Sequence, residues 1–180
     1  MTEDQESSTN YKAILYDWGK TIALSIIIAL FVRLTMIGAY YVPTGSMRPT
    51  IGVGDRLIGW KFLYRLREPH IGEIVVFKPP QKAQADVPRF VKRVVAVAGD
   101  VVEVKAGALY VNGTRQDEPY ASTPFYEMPP ITVPAGQLFV LGDNRNNSAD
   151  GHVWGFLPEE NVEAKIVFRF WPLTRIGMVE

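Results

Sequence analysis

The stretch FVKRVVAV at residues 90–97 decides the fold, because its length and composition are those of a β-strand. It is rich in β-branched residues, and the turn residues Gly99 and Asp100 follow it. Asn112-Gly113 adds a strong hairpin signal further along the chain. Segments of the same kind, separated by turn residues, occupy positions 73–77, 101–104, 108–111, 137–141 and 164–170. The sequence therefore predicts a mainly β domain of mostly antiparallel strands.

Helical patterns are missing from the remainder of this β-rich region. No helix of ordinary length is predicted after residue 42. Residues 119–134 contain five prolines, and this density predicts a loop without regular structure.

An apolar segment precedes the β-rich region. Between residues 21 and 42 the only charge is Arg33, and Lys20 lies just before the segment. These two cations can extend their charged ends toward opposite membrane interfaces, with Trp18 as an interfacial aromatic residue. The alternatives are a cleavable signal peptide and a buried core helix, but the preceding residues are net acidic, which disfavours a signal peptide.

We therefore expect three parts: a short leader at 1–17, a transmembrane helix at 18–36 and a β domain at 37–180. Positive charges lie on both sides of the helix, so charge alone leaves its orientation open.

Composition excludes several classes of protein. The chain of 180 residues carries 19 Lys and Arg against 19 Asp and Glu, which argues against general nucleic-acid binding. The absence of cysteine excludes disulfides, cysteine nucleophiles and thiolate metal sites. With only two histidines, a zinc site with three histidines is impossible.

Ser46 is a candidate nucleophile in the segment PTGSMRPT at residues 43–50. Gly45 permits a tight turn that exposes the hydroxyl, and the flanking prolines stiffen it. A serine needs a base, and the sequence leaves His70, His152 and a neutral lysine as candidates.

Lys92 is the strongest lysine candidate. Strand alternation places it and Arg93 on opposite faces, so one of the two cations must face inward or cross an edge. Arginine does not deprotonate in proteins, which leaves Lys92 as the possible base. The alternative is a solvent-exposed pair on an edge strand.

The segment GDNRNNSADGHVWG at residues 142–155 is dense in polar side chains. Gly142 permits another group to approach closely. Asp143, Arg145 and Asp150 are candidates for an ion-pair network, and Ser148 for a hydrogen bond to an amine. The alternative is a polar loop with Asx-turns.

These segments together, in this order and after an apolar helix, resemble bacterial type I signal peptidases, most of all the cyanobacterial and plastid branch. The resemblance runs from about residue 18 to residue 172. It implies an antiparallel, barrel-like β fold, shared with self-cleaving repressors, behind a single N-terminal transmembrane helix. The motifs that carry it are PTGSM at 43–47, GDRL at 54–57, the EIVVF and KPP stretch at 73–80, RFVKRVVAVAGD at 89–100, and GDNRNNSADGHVWG at 142–155.

The resemblance implies a serine–lysine endopeptidase. Ser46 matches the family nucleophile, Lys92 the general base, Thr44 an oxyanion donor and Ser148 the residue that orients the lysine amine. Further matches are the supporting network of Arg93, Asp143, Arg145 and Asp150, and the shallow apolar substrate pockets formed by Tyr40, Val42, Ile51 and Val91.

Two positions depart from the usual pattern of the family. Asn146 stands where aspartate is common, and Gly151-His152 where Ser-Arg or Ser-His is usual. The second departure leaves open the partner of Asp150, and His152 is a candidate for that place.

The family removes signal peptides from exported preproteins after Ala-X-Ala-type sites. The resemblance therefore implies signal peptides, membrane lipid and the export translocon as partners, with no nucleic acid, metal or cofactor. It places the chain in the plasma or thylakoid membrane with a cytoplasmic N-terminus and the β domain on the export side. The alternatives are a catalytically silent, membrane-tethered peptide-binding relative and a self-cleaving repressor. A repressor is disfavoured because every Ala-Gly bond follows Ser46.

Overall fold

The computed structural model describes residues 3–84 and 86–179 and divides the chain into two units, with the boundary along the sequence between Met36 and Ile37. The first unit is one helix, α1, spanning Glu3–Thr35. Its segment Ile14–Thr35 is 22 residues long and apolar, and the most apolar part of it is not buried against other residues. The segment has the length and composition needed to cross a membrane. The helix therefore includes most of the residues that precede the predicted span at 18–36.

The second unit is built from strands and short helical turns. The strands are β1 Ile37–Tyr41, β2 Arg56–Trp60, β3 Ile74–Phe77, β4 Phe90–Ala96, β5 Val101–Lys105, β6 Ala108–Val111, β7 Thr114–Arg115, β8 Met128–Thr132, β9 Gln137–Leu141, β10 Leu157–Pro158, β11 Val162–Trp171 and β12 Gly177–Met178. The longest helix among the described residues of this unit is α2, Gly151–Trp154. Single 3-10 turns occur at Phe62–Arg65, Gln81–Ala83, Glu159–Asn161 and Leu173–Arg175.

All strand pairs are antiparallel, and they form two sheets. The larger sheet has the order β1-β2-β11-β3-β4-β9-β10, with β12 paired to β11, and the smaller has the order β7-β6-β5-β8. Register shifts in β11 and between β4 and β9 bend the larger sheet, as β-bulges do. The predicted mainly β, antiparallel, barrel-like fold class is confirmed.

β4 lies inside the larger sheet, between β3 and β9. Apolar side chains cover both of its faces, and Lys92 and Arg93 are 4% and 3% exposed. The alternative of an exposed cation pair on an edge strand is therefore wrong, because an inner strand with two covered faces offers neither residue to water.

Three apolar clusters form the core. One fills the space between the two sheets, around Val104, Leu109 and Phe139. A second lies beneath the segment that carries Ser46 and includes Met47 and Ile51. The third surrounds Phe77, Val94, Leu138, Val140, Trp154 and Leu157. Burial of this surface supplies most of the stability of the unit.

The predicted irregular loop at 119–134 is wrong in its last third, because residues 128–132 form β8. This strand pairs with β5 alone and is an edge of the smaller sheet. Pro129 and Pro130 lie where the pairing shifts register, between Met128 opposite Val104 and Ile131 opposite Val102. Proline is tolerated on an edge strand and at such an irregularity, because the ladder does not need its missing N–H there.

We predict that Phe77→Ala destabilises the second unit by about 3–5 kcal/mol, since the fully buried ring packs against Phe90 and Trp154. The matched control Phe125→Ala removes a ring that is 88% exposed and is expected to change the free energy of unfolding by less than about 0.5 kcal/mol. Urea unfolding of the purified chain in detergent measures both values. Equal losses in the two variants would contradict the assigned core.

Candidate active site

A cavity of about 560 Å³ lies on the second unit beside β1 and β4. Its walls come from residues 39–47, the segment 87–92 and residues 147–149. Both Ser46 and Lys92 line it, together with Thr44 and Ser148. The fold therefore brings to one cavity the four residues for which the sequence predicts chemical roles at the reaction centre.

Ser46 lies in the turn that follows β1 and is 9% exposed. Its carbonyl oxygen accepts a hydrogen bond of 3.0 Å from the backbone N–H of Asn144, and the Asn144 side chain donates to the carbonyl of Gly45 at 3.1 Å. The segment after β9 therefore holds the backbone of the serine turn in place.

The Lys92 amine Nζ lies 2.6 Å from the Ser46 hydroxyl oxygen Oγ, within hydrogen-bond distance. Burial lowers the pKa of Lys92 from 10.5 to about 8, while the charges of Asp150 and Asp143 act in the opposite direction. Such a shift corresponds to about 3 kcal/mol in favour of the neutral amine. The pair can therefore transfer a proton from the hydroxyl to the amine near neutral pH.

Gly142 is in close contact with both serines of the site. A Cβ atom at this position would overlap the carbonyl oxygen of Ser46 and the hydroxyl of Ser148. The predicted close approach at Gly142 is confirmed. The Ser148 hydroxyl is buried, has no hydrogen-bond partner among the described residues and is on the wall of the same cavity as Lys92. It is thus available to another polar group in the cavity.

Arg93, next to Lys92 on the strand, binds Asp143 through two hydrogen bonds of 3.0 and 2.8 Å. Both side chains are almost fully buried, so this is a desolvated ion pair. The hydroxyl of Thr50 donates to the same carboxylate at 2.5 Å. The ring of Tyr120 lies 3.8 Å below the Arg93 guanidinium in a cation–π contact. Asp143 therefore joins β4 to the chain that follows Ser46.

The predicted network of Asp143, Arg145 and Asp150 is separated into different pairs. Arg145 is 1% exposed and forms its ion pair with Glu118 at 2.7 Å, while its Nε donates to the Gly142 carbonyl. Asp150 contacts His152 instead. This part of the prediction is wrong, because Glu118, which directly precedes the proline-containing loop, approaches Arg145 and compensates its charge.

The partner of Asp150, open from the sequence, is His152. Ring nitrogen Nδ1 of His152 lies 2.7 Å from one carboxylate oxygen, and the other oxygen accepts the Gly142 N–H at 2.8 Å. The imidazole stacks on Tyr126 with the ring centres 4.2 Å apart. Asn146, the other departure, forms hydrogen bonds with the backbone of Thr123 and Phe125. Both departures thus have local partners.

The two histidine alternatives to Lys92 make their contacts elsewhere. His70 is exposed, and its backbone N–H donates to Glu73. His152 is engaged by Asp150. Of the three candidate bases, Lys92 is the one within hydrogen-bond distance of the Ser46 hydroxyl.

The predicted apolar pocket residues separate into two groups. Tyr40, Val42 and Val91 line the cavity. Ile51 is fully buried in the cluster beneath the cavity and is not on its wall. Within residues 3–84 and 86–179, no group of three or more His, Asp and Glu side chains is arranged to hold a metal ion.

Sequence reasoning missed four side chains around this site: Thr50, Glu118, Tyr120 and Ser122. The Ser122 hydroxyl accepts the N–H of Arg145 at 2.9 Å. Tyr120 and Ser122 come from the proline-containing loop and Glu118 directly precedes it, in a region that carries no periodic pattern. Only the folding of this loop back onto the segment after β9 brings them to the site.

Comparison with known proteins identifies a family that the chain matches. Residues 15–171 match the family described as signal peptidase, peptidase S26. The chain is 47% identical over 164 residues to Probable signal peptidase I-2 of Synechocystis sp., covering 89% of this chain and 75% of that protein. It is 43% identical over 163 residues to Signal peptidase I of Leptolyngbya laminosa, with coverage of 88% and 80%. It is also 43% identical over 165 residues to Probable thylakoidal processing peptidase 2, chloroplastic, of Arabidopsis thaliana, with coverage of 88% and 44%.

We predict that Lys92→Met stabilises the fold at neutral pH. The unfolded chain binds the Lys92 proton more tightly than the folded chain, so the buried amine costs stability below about pH 8, and this cost disappears as the pH approaches about 10.5. The gain from Lys92→Met should fall from about 3 kcal/mol near pH 6.5 to about 1 kcal/mol near pH 9.5. Urea unfolding at both pH values measures it.

The matched control is Lys78→Met, which changes an exposed lysine of the same unit. A gain for Lys92→Met that is the same at both pH values would contradict a lowered pKa for Lys92.

Proposed function

The chain belongs to the signal peptidase family, peptidase S26, and on that premise we propose that it removes signal peptides from preproteins with a Ser46–Lys92 pair. The observation that carries this proposal is the distance of 2.6 Å between the Lys92 amine and the Ser46 hydroxyl, both of which are buried on the wall of the cavity. A buried amine with a pKa of about 8 is a base strong enough to accept the serine proton.

In the first half of the reaction, neutral Lys92 takes the proton of the Ser46 hydroxyl as Oγ attacks the carbonyl carbon of the scissile bond. The resulting tetrahedral intermediate collapses when the Lys92 ammonium gives its proton to the leaving amine nitrogen. The mature protein leaves, and the signal peptide remains as an ester on Ser46. In the second half, Lys92 takes a proton from water as the water oxygen attacks the ester carbonyl carbon. The Lys92 ammonium then returns this proton to Ser46 Oγ as the ester bond breaks, and the signal peptide leaves with a free carboxyl group.

Negative charge develops on the carbonyl oxygen during both attacks. The proposed donors to it are the backbone N–H of Ser46 and the hydroxyl of Thr44, which borders the same cavity. Ser148 is proposed to orient the Lys92 amine. Its buried hydroxyl without a partner supports this role, because such a group is stabilised by any hydrogen bond it gains.

The surrounding polar residues are proposed to position this machinery. The ion pair of Arg93 and Asp143 connects β4 to the segment after β9. Within that segment, Arg145 pairs with Glu118, and Asp150 accepts a hydrogen bond from the Gly142 N–H. These groups lie behind the reacting pair. Their proposed role is to fix the distance between the hydroxyl and the amine.

The substrate is proposed to bind as an extended chain beside β1 and to be cut after Ala-X-Ala-type sites. β1 ends the larger sheet, and an edge strand offers unpaired backbone groups to a peptide. Tyr40, Val42 and Val91 form an apolar wall suited to small side chains, and Ile51 supports this wall from behind.

For the location in the cell, we propose a plasma or thylakoid membrane protein with one span. The leader 1–17 is assigned to the cytoplasm, the helix 18–36 to the bilayer and residues 37–180 to the export side. α1 contains a segment long enough to span a bilayer, which supports this arrangement. Membrane lipid and the export translocon are the proposed neighbours there.

The deciding experiment is cleavage of a preprotein whose signal peptide ends in Ala-X-Ala. The purified wild type, Ser46→Ala and Lys92→Ala are compared in detergent or lipid. We expect one cut by the wild type and a loss of at least about 10³-fold in both variants, since each removes half of a unit that acts together. Lys78→Ala is the matched control. An inert wild type on several such preproteins would instead favour a catalytically silent peptide-binding relative.

The activity of the wild type is expected to rise with pH, because Lys92 must be neutral to accept the serine proton. The rising limb of kcat/KM, which reports the free enzyme, should have its midpoint near pH 8. Initial rates at low substrate concentration from about pH 6 to about pH 10 measure it. A flat profile would exclude Lys92 as the base.

A further inference from the structure

A pair of glycines supports the ring of Tyr40. Gly38 of β1 and Gly59 of β2 face each other across the two strands. A Cβ atom on Gly38 would lie 2.5 Å from the Tyr40 hydroxyl oxygen and 2.7 Å from ring carbon Cε2, and one on Gly59 would lie 2.8 Å from Cε2. Real side-chain atoms do not approach so closely. The ring therefore lies directly on the backbone of both glycines, and any larger residue at either position would displace it.

Packing, rather than hydrogen bonding, holds this ring. The Tyr40 hydroxyl is buried and has no hydrogen-bond partner among the described residues. Burial of this hydroxyl, followed by the negative charge of Glu163, raises the pKa of Tyr40. Glu163 is itself paired with Arg89 at 2.5 Å. Because the backbones of Gly38 and Gly59 block the ring on one side, it can move only toward the cavity that Tyr40 lines.

We propose that Gly38 is a positioning residue that sets the width of the substrate cavity at Tyr40 and thereby the size of the substrate side chain accepted there. This inference rests on the proposed peptidase function. It predicts that the pocket at Tyr40 accepts alanine and also a somewhat larger side chain such as valine. The glycine pair gives this pocket its depth.

The position along the substrate follows from the strand. Tyr40 and Val42 are two residues apart on β1 and its continuation, so their side chains share a face, and Tyr40 is the one further from Ser46. In an extended substrate, the first and third residues before the cut also share a face. The side chain that contacts Tyr40 is therefore assigned to the third residue before the cut.

Gly38→Ala is the informative change. Gly38 does not have a positive φ, so its backbone accepts alanine, and the three nearest atoms to the new methyl group all belong to the Tyr40 side chain. Gly59→Ala is less informative, because its Cβ would also meet Ala164 at 3.0 Å and the Lys165 carbonyl at 3.3 Å. The matched control is Gly177→Ala, since a Cβ there meets nothing within 4 Å.

The test compares kcat/KM for two preproteins that differ only in alanine or valine at the third position before the cut. In Gly38→Ala we expect kcat/KM for the valine substrate to fall about tenfold more than for the alanine substrate. The displaced Tyr40 ring narrows the pocket by about the volume of one methyl group, and such a change in an apolar pocket discriminates by about this factor. The second change Tyr40→Leu removes the overlapping ring, so the double variant should regain the discrimination of Tyr40→Leu alone. Gly177→Ala should keep that of the wild type.

Three results would overturn the proposal: an equal loss of kcat/KM on both substrates, no loss of kcat/KM, or a double variant that discriminates as strongly as Gly38→Ala. A second measurement does not depend on catalysis: the unfolding midpoints of wild type, the two single variants and the double variant. If the ring rests on Gly38, the double variant is more stable than the sum of the single effects predicts. Additive effects would overturn the proposed contact, whereas an inactive wild type with a non-additive cycle would overturn the peptidase function alone.

Discussion

An amine that is kept out of water beside a serine hydroxyl is the constraint on which the rest of the structure depends. A lysine ammonium ion is strongly hydrated, so Lys92 loses its proton near neutral pH only if a protein interior surrounds it. The larger sheet provides that interior by placing the lysine on an inner strand with apolar clusters on both faces. The core therefore sets the chemistry of the amine as well as the stability of the fold.

The neighbouring arginine turns the same strand into an anchor for the surrounding segments. Arg93 remains charged, and its burial is compensated by two hydrogen bonds to Asp143. Asp143 in turn accepts a hydrogen bond from Thr50, four residues after Ser46. Because Lys92 and Arg93 are adjacent, one strand register fixes the amine on one face and the ion pair on the other. A slip by one residue would exchange the two faces and destroy both arrangements.

The sequence predicts the strands well where composition and turns agree, and it brings Ser46 and Lys92 forward as candidates through the chemistry of an activated serine. It does not predict β8, because prolines are typical of loops and this edge strand contains two of them. It also does not predict the pairing of Arg145 with Glu118. Ion-pair partners depend on which loops meet in space, and 27 residues separate this pair along the chain. Local patterns thus predict elements, whereas the cross-connections of the site need the tertiary fold.

The connection between β7 and β8 has a consequence for cooperativity. It bonds the segment after β9 through Glu118, Ser122 and Thr123, although its flanking strands belong to the smaller sheet. These hydrogen bonds reach Arg145 and, through the Ser122 N–H, the carbonyl oxygen of Asp143. We therefore expect the smaller sheet and the segment after β9 to open together, with amide protons that exchange with solvent at similar rates. The hydrogen bonds of this connection thus link the stability of the smaller sheet to the lifetime of the assembled site.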